Sequence, residues 1–580
     1  MKKPLLSELT LREKIGQMLL PHQYHIYINK KGSVMDFLNA DEDPKYLKSD
    51  EEVKAHIQRE NFGVLYFEQV EMHKLQNVDM TDSVKKKTDP HAYRKFVEKQ
   101  ASFYKIPPLI AGDLEAEGAG NLFECCSVTC RPPAIGAANS EELAYELTKS
   151  FSREMRSIGA NWRWAPVIDI GGRYSGTVMR SPTPDDPERM IKLTLAHIKA
   201  SQAEGVAATA KHFPSGGFKG NYRDSHFCPT WNPLSFEEWW EAQGKIFDAL
   251  IKGGVDSVMI SHSGFPAVDD SLVKGRYRPA SVSKKIVTDL LKGKMGFKGV
   301  AITDGIPMAA LLGSYDTYDE LIEELVNAGN DVLLGVFPAA GDIIEKAVKE
   351  GRIAESRIDD ACQRVLDMKE KIGLFEDSYW DLPYTLEECV EETARINKEI
   401  ARRAITKIRD RNNLLPVDKS KVKNVTIVCT TYGNAFFNNL QTMKACFEER
   451  GIKVNLQRRI ESAAEMSRID KESDLIIYAA YVAMHQPKGF VTLYDEDLCT
   501  YRYAFTKGKE KSIGVSMGYP HLHFDVMGNA DTFINTYGKS SALMEAFVEA
   551  VLGEVPIVGE SPVQPYPDHV IRRAKDKNEK

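Results

Sequence analysis

Apolar and polar positions alternate along the first two thirds of the chain in a regular beat. Short runs rich in Val, Ile and Leu recur: "IGQMLL" (15–20), "GVLYF" (63–67), "PLIAGDL" (108–114) and "WAPVIDI" (164–170). They continue with "GVAATAKHF" (205–213), "VDSVMISH" (255–262), "GVAITD" (299–304) and "NDVLLGVF" (330–337). Runs this short and this apolar are the signature of strands buried on both faces. Between them lie segments with apolar residues at helical spacing, such as 140–159 and 234–254. Eight strand–helix repeats predict an α/β fold, a (β/α)8 TIM-type barrel over residues 1–380. The long polar stretch 28–56 reads as an insertion, and 79–90 as a solvated loop.

A helical linker is expected over 381–418, where "KIRDRNNLLPVD" marks a boundary. A second, smaller α/β pattern then fills 419–565. Its predicted strands are 424–433, 474–482, 512–520 and 531–538, with helices at 438–451 and 541–554. That arrangement reads as a parallel sheet with flanking helices. Residues 566–580 form a charged tail.

Composition narrows the class. The chain has 580 residues, 43% hydrophobic and 27% charged, with a net charge of −7. That length holds more than one domain, and that charge gives no reason to expect a nucleic-acid partner. No apolar run is long enough for a membrane partner to be expected. The N-terminal segment lacks a continuous apolar stretch of the secretory kind, because Glu8, Arg12, Glu13 and Lys14 interrupt it. Nine cysteines without a C-x-x-C pair point to reduced thiols and a cytoplasmic protein. Cys125, Cys126 and Cys130 read as small buried side chains, and no metal site or cofactor is expected.

Chemistry gathers at the C-terminal ends of the predicted strands. His22, Glu68, Asp113, Asp169, Lys211 with His212, His262 and Asp304 all fall there. In a barrel those ends converge on one mouth, where catalytic groups sit. One such Asp alone reads as a turn or helix cap, but seven strand ends in register read as a site. The segment "AATAKHFPSGGFKGNYRDSHF" (207–227) adds Asp224 and His226 on a glycine-rich connection. No H-x-H, H-x-x-x-H or G-x-S-x-G accompanies them, which argues against metal and serine-hydrolase chemistry. Retaining glycoside hydrolysis fits better, since it needs one carboxylate nucleophile and one proton donor. Asp304 suits the first role. His226, oriented and made more basic by Asp224, suits the second.

At these residues the chain resembles glycoside hydrolase family 3, in its β-N-acetylglucosaminidase branch. The family's "KHFPG-G…D-x-H" signature is matched by Lys211, His212, Phe213, Pro214, Gly217, Asp224 and His226. Its nucleophile element is matched by "GFKGVAITDGIPMAA" (296–310). Further elements at 258–269, 278–283, 327–334 and 351–375 extend the resemblance over about residues 10 to 565. It implies Asp304 as nucleophile, Asp224 and His226 as acid/base dyad, and Asp113, Arg180, Lys211 and His212 as sugar-binding residues. The implied substrate is an N-acetylglucosamine-containing glycoside. Glu115, Glu117 and Asp185 are expected only to cap or support loops, and His262 either to support a strand end or to line the pocket. The chain departs from the pattern in a longer loop before Asp224, in a longer "RSPTPDDP", and in Gly305 at a second aspartate position. The rival readings are a β-N-acetylglucosaminide phosphorylase, a β-glucosidase-type glycosidase, and a sugar-binding protein without turnover.

Overall fold

The computed structural model describes residues 1–21, 49–66, 90–115, 126–171, 179–214, 225–431, 434–482 and 495–565. Eight parallel strands build the N-terminal part: β1 (Leu19–Pro21), β2 (Val64–Tyr66), β3 (Leu109–Gly112), β4 (Trp162–Arg163), β5 (Ala207–Phe213) and β6 (Ser257–Ile260) come first. A short hairpin of β7 (Leu272–Val273) and β8 (Arg276–Tyr277) interrupts, and β9 (Val300–Thr303) and β10 (Leu333–Val336) complete the set. Hydrogen bonding runs in the order β2-β3-β4-β5-β6-β9, while β1 pairs with β10. A bridge between Ile302 and Val332 joins the two groups.

The sheet is curled. Leu20, Val64, Leu109, Trp162, Ala207, Met259, Ile302 and Leu334 come from eight different strands and pack into one buried cluster. Only a sheet bent around on itself brings the same face of every strand together. The opposite faces meet helices, as near-continuous apolar strands require.

Two strand boundaries differ from the sequence reading. Residues 15–17 of "IGQMLL" are the end of the helix Leu11–Gln17, which Thr10 and Glu13 cap reciprocally, and the strand starts at Leu19. "WAPVIDI" follows its strand rather than forming it. Pro166 has no N–H to offer a ladder, so beyond Arg163 only Val167 makes a bridge, to Lys211.

The second sheet has the order β11-β16-β15-β14-β12-β13. Its members are β11 (Thr406–Asp410), β12 (Asn424–Cys429), β13 (Lys453–Arg458), β14 (Leu475–Ala480), β15 (Ser512–Ser516) and β16 (Thr532–Asn535). The expected helical linker is only partly helical. After the helix Leu386–Ala404, residues 406–410 form an edge strand antiparallel to β16. β13 also escaped the sequence reading, because its "KVNLQR" is half-exposed and mixed in polarity, as an edge strand tolerates. The two parts meet where Met179 is buried with Val428 and Val563. Among the described residues no helix is long and apolar enough to cross a membrane.

Candidate active site

Each strand of the curled sheet delivers its last side chain to the same end. β5 is the clearest case: four small residues precede Lys211, His212 and Phe213. Its register with β6 shifts between Lys211 and Phe213, an irregularity that re-aims His212.

A charged network occupies one side of this mouth. Lys211, 1% exposed, places its Nζ 2.7 Å from Asp113 Oδ1 and 2.8 Å from Glu115 Oε1. Arg180 donates to both oxygens of Glu115. Burial alone would raise the Glu115 carboxyl, but Arg180 and Lys211 hold it well below the usual carboxylate range. Burial works against Lys211 as well, and Asp113 and Glu115 outweigh it to keep the ammonium charged. Glu115 is therefore the keystone of the network, where the sequence reading made it only a support. Its signal in the sequence was only its nearness to Asp113 past the end of β3. Beneath it Arg163, also buried, donates to the carbonyls of Leu114 and Glu115 and pins a turn in which Leu114 has a φ of 44°.

The other side holds the histidines. His212 is clamped by Asp169, whose Oδ1 accepts its backbone N–H at 3.0 Å and whose Oδ2 lies 2.8 Å from Nδ1. That leaves Nε2 facing Asp304 Oδ2 at 3.9 Å. Asp304 follows β9, and its Oδ1 accepts the Gly305 N–H at 2.7 Å. Burial would raise its carboxyl, but His212, His262, His226 and the Gly305 N–H hold it well below the usual range. His262 stands at the end of β6 between Ser281 Oγ at 2.8 Å and the Gly305 carbonyl at 3.0 Å. The carbonyl requires a donor at Nε2, so Nδ1 is left to accept, and burial pushes the ring toward neutrality. A Cβ at Gly305 would meet nothing closer than Met308 Cγ at 3.6 Å, so the glycine is not sterically forced.

Asp113, Lys211, His212, Arg180 and Asp304 thus converge. His226, half-buried, is close enough for its charge to bear on both Asp304 and His262. Asp224, His22 and Glu68 lie outside the described residues. Asp169 and His262 were legible as strand-end polar groups but not as partners of named atoms. Among the described residues no cluster of three His, Cys, Asp or Glu could hold a metal ion. An ionised carboxylate at a strand end, beside imidazoles and a fixed set of charged donors, suits attack on an electrophilic carbon of a polyhydroxylated ligand.

Comparison with known proteins gives this arrangement a family. The profile "Glycosyl hydrolase family 3 N terminal domain" matches residues 10–368. A "Beta-N-acetylglucosaminidase/beta-glucosidase" of Cellulomonas fimi is 26% identical over 484 residues, 80% of this chain and 84% of that protein. A "Beta-hexosaminidase" of Xanthomonas oryzae pv. oryzae is 31% identical over 238 residues, 40% of this chain and 68% of that one. Among solved structures, "Beta-glucoside phosphorylase BglX bound to 2FGlc" superposes with a TM-score of 0.78 at 24% identity, over 97% of this chain and 95% of that one. A family 3 β-N-acetylglucosaminidase from Paenibacillus sp. str. FPU-7 gives 0.75 at 24% identity, over 96% and 99%. With strand-end carboxylates and histidines placed as described, the chain belongs to glycoside hydrolase family 3 and is a glycosidase.

Proposed function

We propose that this glycosidase is a retaining β-N-acetylhexosaminidase acting on terminal β-N-acetylglucosaminides. The observation that carries the reading is Asp304: a carboxylate kept ionised inside the mouth, with an imidazole of His212 on one flank and the Gly305 N–H on the other. Asp304 attacks the anomeric carbon as the glycosidic C–O bond breaks, and protonated His226 gives its proton to the departing oxygen. Neutral His226 then takes a proton from water, the resulting hydroxide attacks the anomeric carbon, and Asp304 leaves as carboxylate. Asp224 pairs with His226 to raise its basicity. Retention of this kind wants nucleophile and acid about 5 Å apart. Asp113, Arg180, Lys211 and His212 hold the sugar hydroxyls. The eight strands close as one barrel within a catalytic domain of residues 1–380, followed by the C-terminal domain 419–565. Nine cysteines without a C-x-x-C pair support a reducing, cytoplasmic compartment.

A second reading is phosphorolysis. An imidazole in the proton-transfer role repels an anionic acceptor less than a carboxylate does, so phosphate can take the place of water. One assay separates the readings: turnover of 4-nitrophenyl N-acetyl-β-glucosaminide and of the matching glucoside, each with and without phosphate. Preference for the first sugar with no phosphate requirement supports the hexosaminidase. A sugar 1-phosphate product establishes the phosphorylase, and preference for the glucoside overturns the substrate assignment.

A further inference from the structure

The loops after β5 and β6 carry exposed aromatic side chains at the same end of the sheet as the mouth. Among the described residues, Phe227 (53% exposed), Trp231 (39%), Leu272 (57%) and Tyr277 (39%) are large apolar side chains open to solvent. They come from only two loops, the one after β5 and the one after β6, both at the end of the sheet that carries Asp304. Trp231 and Tyr277 stand with ring centroids 5.9 Å apart and planes inclined at 55°. Leu272 is the cross-strand partner of Tyr277 in the β7–β8 hairpin.

The pair is built into the backbone rather than left on floppy loops. Trp231 bridges Gly264, with Asn232 N–H donating to the Gly264 carbonyl at 2.8 Å and Gly264 N–H to the Thr230 carbonyl at 2.9 Å. Thr230 and Ser263 hydroxyls meet at 2.6 Å. Gly264 also bridges Pro279, and a Cβ on it would lie 2.8 Å from the Tyr277 Cβ. Only glycine there lets the Tyr277 strand come so close to Trp231. Gly264 is two residues past His262, so their Cα atoms are within about 8 Å. Trp231 is five residues past His226.

We propose that Trp231 and Tyr277 form the platform on which the leaving-group sugar of the substrate stacks. This rests on His226 being the proton donor: the group that protonates the departing oxygen sits by necessity on the leaving-group side, and Trp231 follows it by five residues on the same loop, with Tyr277 packed against Trp231. The retained sugar has its own side, where Asp113, Lys211, Glu115 and Arg180 offer charges to hydroxyls. A β-linked pyranose also has a face of axial C–H bonds, which matches the faces of two fixed rings. Rigid aromatic side chains give that contact at small cost in conformational entropy. A shallow, half-exposed platform suits a leaving sugar that extends into solvent, and it gives a solvent-exposed apolar patch a ligand.

The test uses two substrates with the same retained sugar: N-acetyl-β-glucosaminyl fluoride, whose leaving group is one atom, and N,N′-diacetylchitobiose, whose leaving group is a sugar. The readout is the ratio of kcat/KM for the disaccharide to that for the fluoride. In Trp231→Ala and in Tyr277→Ala this ratio falls by about tenfold, the scale of losing one well-packed aromatic contact. Trp231→Phe restores most of it. An unchanged ratio in both alanine variants overturns the proposal. So does an unchanged ratio with a shift from dimer to monomer in gel filtration, which assigns the patch to a second copy of the chain. Should the wild type cleave neither substrate, the hexosaminidase reading falls on its own. The platform is then read by tryptophan fluorescence on titration with the disaccharide: quenching that disappears in Trp231→Phe supports it, and no quenching overturns it.

Discussion

Strands of the curled sheet run into Asp113, Asp169, Lys211, His212, His262 and Asp304, whereas those of the second sheet run into Thr430, Ser516 and Asn535. In the first set the side chains bond chiefly to one another: Lys211 to Asp113 and Glu115, His212 to Asp169. In the second they bond chiefly to backbone, Thr430 also meeting the Tyr501 hydroxyl at 2.9 Å. Thr430 Oγ1 donates to the Ala479 carbonyl at 3.0 Å, Ser516 Oγ to Tyr519 at 2.6 Å, and Asn535 Nδ2 to Pro520 at 2.9 Å. Both sheets have a parallel, buried centre, so strand architecture alone does not make a site. What differs is whether the strand ends satisfy their own loops or hold charges that a ligand can reach.

The largest effect expected from breaking this contrast is at Asp304. Replacing it with Asn keeps the Gly305 N–H bond to the side-chain oxygen but removes the nucleophile, and kcat falls roughly 10⁴-fold or more in steady-state assays. Glu115→Gln comes next. It leaves Lys211 and Arg180 buried beside a neutral group, which costs about 3 kcal/mol or more in urea unfolding and weakens sugar binding. The sign with pH follows from its depressed carboxyl. Ionised Glu115 stabilises the fold fully at pH above its unfolded value of 4.5, and that contribution is lost progressively as pH falls from there through the lower folded value. The stability gap between wild type and Glu115→Gln therefore stays flat from pH 9 to 6 and closes only in acid.

His226→Ala lowers turnover of substrates with poor leaving groups by roughly 10²–10³-fold and of a 2,4-dinitrophenyl glycoside far less, because that leaving group needs no proton. Equal losses on both would remove His226 from proton transfer. The smallest effect belongs to the second sheet. Ser516→Ala loses one hydrogen bond to backbone, about 1 kcal/mol of stability, and leaves kcat/KM within about twofold of wild type. A large loss of activity there would erase the distinction between the two sheets.

The contrast was half visible in the sequence. Apolar runs announced the strands, and polar residues closing seven of the eight runs announced the mouth, because so many in register exceed what turn and helix caps require. What the periodicity did not carry was pairing. That Glu115 bridges Lys211 and Arg180, or that Asp169 fixes His212, depends on strands distant in the chain being neighbours in the sheet. Edge strands were the weak point of the pattern: β11 and β13 are half-exposed, so their polarity imitates a loop. Pro166 hid the limits of β4, since the apolar run continues past Arg163 while the ladder there becomes irregular.

The central claim is that Asp304 becomes covalently glycosylated. Incubation with a 5-fluoro N-acetylglucosaminyl fluoride, which forms the intermediate faster than it breaks it down, followed by digestion and mass spectrometry, tests it most directly. The account predicts one added glycosyl group on the peptide containing Asp304, absent from Asp304→Asn. An adduct on another carboxylate, or none in an enzyme that still turns over its substrate, would contradict it.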